Sequence, residues 1–392
     1  MRSKRLSLIP VIVILAILAT ILSCTPKSVP TATASPVTPI SISAPASNVP
    51  PVRQAQGEPP TSQDAAWAKV IEAAKKEGRL VIYGDSPFAA AGRTLATSFT
   101  AQYGIPIDLL ILPGRQQAEK LKVERSIGKP VADVVQTGVS SSTEIVLSDL
   151  AESTVESLPV LKDRSVFYVD PVYGPQKQII AFGLTYLGPV VNTDKVKPDE
   201  IKSWNDVLNP KWKGQIIMSD PRGTGAGLNL FSTLTYHKVL DYDYFRRLAR
   251  QELSLWPGGH REAYLMVGRG EYALDFGGGS AEISFLVMEG APLKTIPTEE
   301  GSVGQIQPVL LAKGAPHPNA ARLFINWLLS QEGQEAYHKT AGSQPLRKDM
   351  PDFTPEKVRF TAKKIWNRTW EAAEQSNNDL KSGILEQIFG KK

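Results

Sequence analysis

From Arg79 onward the chain alternates short apolar strands with helical stretches, and this rhythm limits its fold more than any other feature. "RLVIYG" (79–84) reads as a buried strand and "AGRTLATSFTAQYG" (91–104) as a helix. "IPIDLLIL" (105–112), "QQAEKLKVERSIGKP" (116–130) and "ADVVQTG" (132–138) repeat the pattern as strand, helix, strand. Strands joined by crossover helices run parallel, so the class is α/β. Ligands of open sheets sit beyond the carboxyl ends of the strands. Those ends carry Asp85 and Ser86, then Gly114 and Arg115, then Thr137 to Ser141, all small or donor-rich.

Before this pattern, "DAAWAKVIEAAKKEG" (64–78) places Trp67, Val70, Ile71 and Ala74 at helical spacing, and Gly78 stops the helix. After it, "IIAFGLTYLGPVVNT" (179–193) is a β-prone run long enough to pass from one domain into another. The pattern then restarts. A short helix capped by Ser203 leads to the strand "QIIMSD" (215–220), a glycine loop and the helix "LNLFSTLTYHKVL" (228–240). The helix "REAYLMVGRG" (261–270) and the strand "EYALDFGGGS" (271–280) follow, and "IQPVLLAKG" (306–314) is a second crossing. A helical run opens at Pro318 and covers 317–342. The expected organisation is one lobe over 64–182, a second lobe over 183–304 inserted into it, and a return to the first lobe with C-terminal helices over 305–392.

The first residues, "MRSKRLSLIPVIVILAILATILSC", combine Arg2, Lys4 and Arg5 with an uncharged apolar run and then Cys24. A basic start, an apolar stretch and a small residue describe a secretory signal over 1–23. Cys24 is the sole cysteine of the chain, which excludes an internal disulfide and a cysteine-based metal cage. The tract 24–63 is rich in Pro, Ser, Thr and Ala and lacks any helical or strand period. Such a composition buries too little apolar surface to offset its ordering entropy, so it is expected to be a disordered tether. Of the formal net charge of +5, three belong to Arg2, Lys4 and Arg5, which leave with a cleaved signal. The body is then nearly neutral, and a nucleic-acid-binding face is not indicated.

The segment "SDPRGTGAGLN" (219–229) demands a backbone that comes close to something. It has no lysine for a phosphate-cradling P-loop, and its glycines are spaced G-x-G-x-G where a dinucleotide fingerprint needs G-x-G-x-x-G. Two readings remain. Either the glycines only form a tight turn with Thr224 capping its own helix, or the amides of Thr224, Gly225, Ala226 and Gly227 hold an anion at the helix N-terminus. "FGGGSAE" (276–282), with Gly278 and Ser280, poses the same choice. Glu282 stands where a nucleophile elbow needs its closing glycine, so Ser280 reads as a hydrogen-bond donor. The four histidines are scattered, without an H-E-x-x-H motif, and no metal site is expected. Tyr242 and Tyr244 are two apart on a helix and read as core, as do Trp256 and Trp327.

"LNPKWKGQIIMSDPRGTGAG", "VGRGEYAL", "APHPNAARLFINWLLSQEGQEAY" and "PLRKDM" resemble segments of the extracellular solute-binding proteins of bacterial ABC importers. The resemblance is to the two-lobed type II periplasmic-binding class that includes ferric-iron binders, and it runs from about Trp67 to Asp349. "ILSC" (21–24) likewise resembles a lipobox, which makes Cys24 a lipidation site. The resemblance implies a cleft between lobes, hinge closure over one ligand, and delivery to a permease and its ATPase. It also implies a monomer on the periplasmic or extracellular face of the membrane, with no cofactor and no catalysis. The iron ligands of those relatives fall here on Pro87 or Phe88, Gly138 or Val139, and Gly279 and Ser280, none of which binds a hard trivalent ion. The expected ligand is therefore a small anion (carboxylate, phosphonate or phosphate) held by the amides of 224–227. Ser86, Thr137, Ser140 and Ser280 supply neutral hydrogen bonds, and Arg115 the charge-assisted contact. The alternatives are a ferric chelate that brings its own ligands, an enzyme using Asp85 or Glu282 as a base, and a sensor domain on the same fold.

Overall fold

The computed structural model describes residues 40–41, 62–223, 226–257 and 260–391. Cys24, Thr224 and Gly225, the signal over 1–23 and nearly all of the tether lie outside them. Of the tether, Ile40–Ser41 (β1), paired with β3, and residues 62–63 are described; the latter open a helix, so the expected disorder does not reach residue 63.

The first half of the body builds β2 (Leu80–Gly84), β3 (Ile107–Ile111) and β4 (Val134–Gln136) as a parallel set in the order β3-β2-β4. Helix α1 (Ser62–Glu77) precedes them, and α2 (Ser86–Tyr103), α3 (Gly114–Ser126) and α4 (Val139–Leu147) follow the three strands in turn. Side chains alternate across a strand, and the consequence is visible on β2. Leu80 and Ile82 enter a core with α1 and α2 residues, while Val81 and Tyr83 enter a second core with Ala118, Leu121 and Ile145. Both faces of the sheet are covered, which is why these strands read as continuous apolar runs.

After the short strands β5 (Ala151–Glu152) and β6 (Val172–Tyr173), β7 (Ile179–Asn192) runs for 14 residues. Its first part, Ile180 to Phe182, lies in the first-half core, and Leu187 and Val191 lie in another. The second half sets β8 (Ile216–Ser219), β9 (Ser254–Trp256) and β10 (Leu274–Gly279) parallel to one another. Helices α5 (Ala226–Tyr236) and α6 (Tyr242–Ala249) cover one face, and α7 (His260–Gly268) and α8 (Ser280–Met288) the other. Tyr244 is buried there, as are Trp204 and Phe276.

After β11 (Leu293–Thr295), β12 (Ser302–Ala312) returns antiparallel to β7 along eight paired positions, from Val303 opposite Leu187 to Leu310 opposite Ile179. The run over 317–342 is two helices, α9 (Pro318–Leu328) and α10 (Gln331–Ala341). Ser330 breaks it, because its hydroxyl accepts from Gly333 N and so caps α10. Both helices pack in the first half.

The last forty residues do otherwise. Phe360 stacks on Tyr186 of β7, 5.3 Å between ring centres, and β13 (Ile365–Trp366) pairs with the start of β12. Helix α11 (Trp370–Asp379) lies on α5, and α12 (Leu385–Phe389) on α6, with Leu380, Leu385 and Ile388 in the second-half core. Among the described residues no helix is long and apolar enough to cross a membrane.

Candidate functional site

Helices follow the carboxyl ends of the parallel strands in both halves, and two pairs of them meet across the halves. Helix α4 of the first half packs against α5 of the second, and α2 against α8. Each of these helices starts with unpaired backbone amides, and at the α2–α8 contact the two starts are close enough for the charge of Asp85 to act on Glu282.

The start of α4 carries no side-chain cap, and Gly138 precedes it in extended conformation. Ser140 and Ser141 are buried in its first turn, while Ser142 and Thr143 turn back to Val139 O at 2.7 and 2.9 Å. Just before it, Thr137 is 0% exposed, and its Oγ1 has no hydrogen-bond partner among the described residues. That hydroxyl and Ser141 Oγ face Gly114, where an added Cβ would lie 2.5 Å from each. Gly114, at the start of α3, is thus a glycine for lack of room.

The start of α8 is differently arranged. Ser280 Oγ accepts from Tyr186 N at 3.1 Å, and Thr185 Oγ1 accepts from Ala281 N at 3.2 Å. Strand β7 thereby supplies the cap that Gly279 cannot. Tyr264 OH accepts from Gly279 N at 2.9 Å. Gly278 lies inside β10, where an added Cβ would meet Val190 at 2.4 Å and the Tyr264 ring at 2.9 Å, so its role in this geometry is packing.

In the glycine loop, Asp220 grips Arg222 through both carboxylate oxygens, at 2.9 and 2.8 Å, and Arg222 Nη1 donates to Gly390 O at 3.0 Å. Arg222 therefore ties the loop to the C-terminal segment. Gly227 faces the protein's own strand, since an added Cβ would lie 2.2 Å from Ser219 O. Arg115 is exposed on α3. Ser86 and Ala226 begin α2 and α5, and nothing is described of their side chains.

Carboxyl groups crowd the α2–α8 contact. Asp85 caps α2, accepting from Phe88 N at 3.3 Å, and its own amide donates to Gln136 Oε1 at 3.1 Å. Burial pushes its carboxyl up to about 7. Glu282, in the first turn of α8, is pushed up to about 8 by burial and then by the charge of Asp85, against the nearby Arg261. Asp275 is pushed up to about 7 by burial, with Oδ2 unpartnered among the described residues. Tyr337 of α10 feels both Asp85 and Glu282.

Among the described residues no group of three His, Cys, Asp or Glu is placed to hold a metal ion. His338 is buried between Ser343 Oγ and Phe182 O, and burial pushes it down to about 4, a neutral core residue. His317 Nδ1 pairs with the buried Asp133 at 2.8 Å, and His237 with Asn367 O at 2.7 Å. Sequence reasoning missed Thr185, Tyr186 and Tyr264, because their partners are distant in the chain. It placed Asp85 at a strand end where a ligand is expected and named Glu282 as a candidate base, but it did not bring the two together.

Residues 80–340 match the family model described as bacterial extracellular solute-binding protein. An uncharacterised protein of Haemophilus influenzae is 26% identical over 296 residues, covering 71% of this chain and 81% of that one. A Salmonella typhimurium periplasmic protein, provisionally named as 2-aminoethylphosphonate-binding, is 23% identical over 296 residues, covering 70% and 80%. Among solved structures, the periplasmic binding protein AfuA of Actinobacillus pleuropneumoniae with fructose-6-phosphate bound superposes with a TM-score of 0.63 at 22% identity, over 79% of this chain and 97% of that one. Iron-bound HitA of Pseudomonas aeruginosa gives 0.62 at 18% identity, over 79% and 99%. Both share the two-lobed α/β fold with this chain.

Proposed function

The chain belongs to the family of bacterial extracellular solute-binding proteins, and on that footing we propose that it captures a small solute with an acidic group for an ABC importer. The acidic group, of phosphonate, phosphate or carboxylate type, sits at the N-termini of α4 and α5, two helices that pack together across the halves. Ser140, Ser141 and Thr137 donate hydroxyls, and the amides of 224–227 complete the cradle. One observation carries this reading. Thr137 Oγ1 is buried without a partner among the described residues, beside a helix start that no side chain caps, and such a group costs free energy until a ligand or a water satisfies it. The relatives add weight, since the Salmonella protein is provisionally named for a phosphonate and AfuA holds a sugar phosphate.

The same solute carries an ammonium group in this reading. Asp85 and Glu282 approach from opposite halves, and each raises the cost of ionising the other. A cation between them removes that cost. An aminoalkylphosphonate satisfies both ends. The protein is a receptor rather than an enzyme and works as a monomer, held to the outer face of the membrane through lipid on Cys24, with permease and ATPase subunits as partners.

The test is a thermal-shift panel on the full chain with 2-aminoethylphosphonate, inorganic phosphate, fructose-6-phosphate and ferric citrate. The expected result is the largest shift with 2-aminoethylphosphonate, since a ligand at about 100 times its dissociation constant adds ~2.7 kcal/mol. Stabilisation by ferric citrate alone would discard the anion reading in favour of a chelate.

A further inference from the structure

The segment after residue 340, beyond the part that matches the family model, carries a half-buried arginine without a counter-ion. Arg368 precedes α11. Its Nη2 donates to Asn229 Oδ1 of α5 at 2.7 Å, and its Nη1 donates to Ser376 Oγ of α11. Both acceptors are neutral. Arg222 and Arg347, which are also partly covered, grip Asp220 and Asp349 at 2.8 and 2.7 Å. Arg368 takes part in no ion pair among the described residues. Burial accordingly pushes its guanidinium down to about 10, with only the phenol of Tyr236 acting the other way. A desolvated cation with neutral partners is a costly arrangement, and an anion beside it removes the cost.

Its position says which anion. Asn229 is the fourth residue of α5, and helical side chains lean back toward the N-terminus. The Asn229 carboxamide, and the guanidinium bonded to it, therefore stand beside the first turn of α5. Two residues beyond Arg368, Trp370 packs against the first-half core that contains Val81 and Tyr83. Helix α4 also packs on α5. Arg368 thus stands where the second half, the first half and the C-terminal segment come together, at the helix whose start is read above as the anion cradle.

We infer that Arg368 is the cationic residue of the solute site: held by Asn229 and Ser376, it pairs its remaining guanidinium hydrogens with an oxyanion bound at the first turn of α5. The inference rests on the anion reading of the site and adds to it a charge that lies outside the matched region. A planar guanidinium offers five N–H donors and suits phosphonate, phosphate or carboxylate oxygens. Two of the five are committed among the described residues.

Calorimetric titration of the full chain with 2-aminoethylphosphonate and with inorganic phosphate tests this, comparing wild type with R368Q, R368K and S376A. R368Q should weaken binding at least ~tenfold, the weight of one lost charge-assisted contact, and should flatten the dependence of affinity on salt. R368K keeps the charge but not the fork and should recover part of the loss. S376A removes one of the two anchors but leaves the charge, and should weaken binding less than R368Q does. A melting curve for each variant separates loss of binding from loss of fold, and R368K decides if R368Q does not fold. If wild type binds either probe and R368Q and R368K bind it equally well, Arg368 is only an anchor of the C-terminal segment and the inference is overturned, while the anion reading stands. If wild type binds neither probe, both fall together.

Discussion

Glu282 and Asp85 project like charges toward each other from opposite halves of the sheet, with Asp275, Tyr264, Tyr337 and Arg261 as the other groups around them. Their carboxyls are pushed up in the folded protein to about 8 and about 7. A raised carboxyl means that the native state holds its proton more tightly than the unfolded chain does. Its contribution to stability is full below the ordinary carboxylate range and is lost as pH rises through the folded value. The ligand-free protein should therefore melt at progressively lower temperature from about pH 5 to about pH 9, losing on the order of a few kcal/mol. Glu282→Gln should flatten that slope, and melts across the range check it; identical slopes for the two proteins would remove Glu282 from the account. At this scale the sequence was partly legible. The strand-end position of Asp85 and the first-turn position of Glu282 followed from local pattern, but their mutual approach joins residues almost two hundred apart. Charge was the harder case. Arg115 was chosen for following a strand end, yet it is exposed on α3, whereas Arg368 reaches α5 from far along the chain.

Among the elements, α5 shows best what a local motif can and cannot say. Three glycines in five positions announced a backbone in close approach. What Gly227 approaches is the carbonyl of Ser219, because α5 begins directly over the end of β8. Gly227→Ala places a methyl 2.2 Å from that oxygen. The helix must shift, at a cost of ~1–3 kcal/mol for overpacking. The expected outcome is a lower melting temperature together with weaker solute binding, read by denaturation and titration of the same variant. Unchanged values for both would mean that α5 is not held by this contact. The α9–α10 break makes a similar point. Both helices were legible from periodicity, but "LLSQEG" reads as continuous helix until the Ser330 hydroxyl is seen to cap the second one. Capping is a competition between neighbouring conformations, and the apolar period does not register it.

In the whole molecule, β7 and β12 carry the connection, each passing from one core to the other while paired along its length. Solute-induced closure in such a design bends two strands rather than a loose linker. The N-terminal pattern belongs to this scale too, since the lipid anchor proposed at Cys24 bears on where the body works. Cys24→Ala should move the protein from the membrane fraction to the soluble fraction of its own cell and abolish fatty-acid labelling; retention at the membrane would argue for an uncleaved apolar anchor instead. The sequence by itself determined the α/β class, the restart of the pattern and the family, because strand and helix periods and short motifs are written in neighbouring residues. Tertiary structure alone decided that α11 and α12 lie on the second half, that Thr185 caps α8, and that Asp85 meets Glu282. Those outcomes depend on which surfaces find each other once the chain is compact, and burial and charge act across space without regard to separation along the backbone.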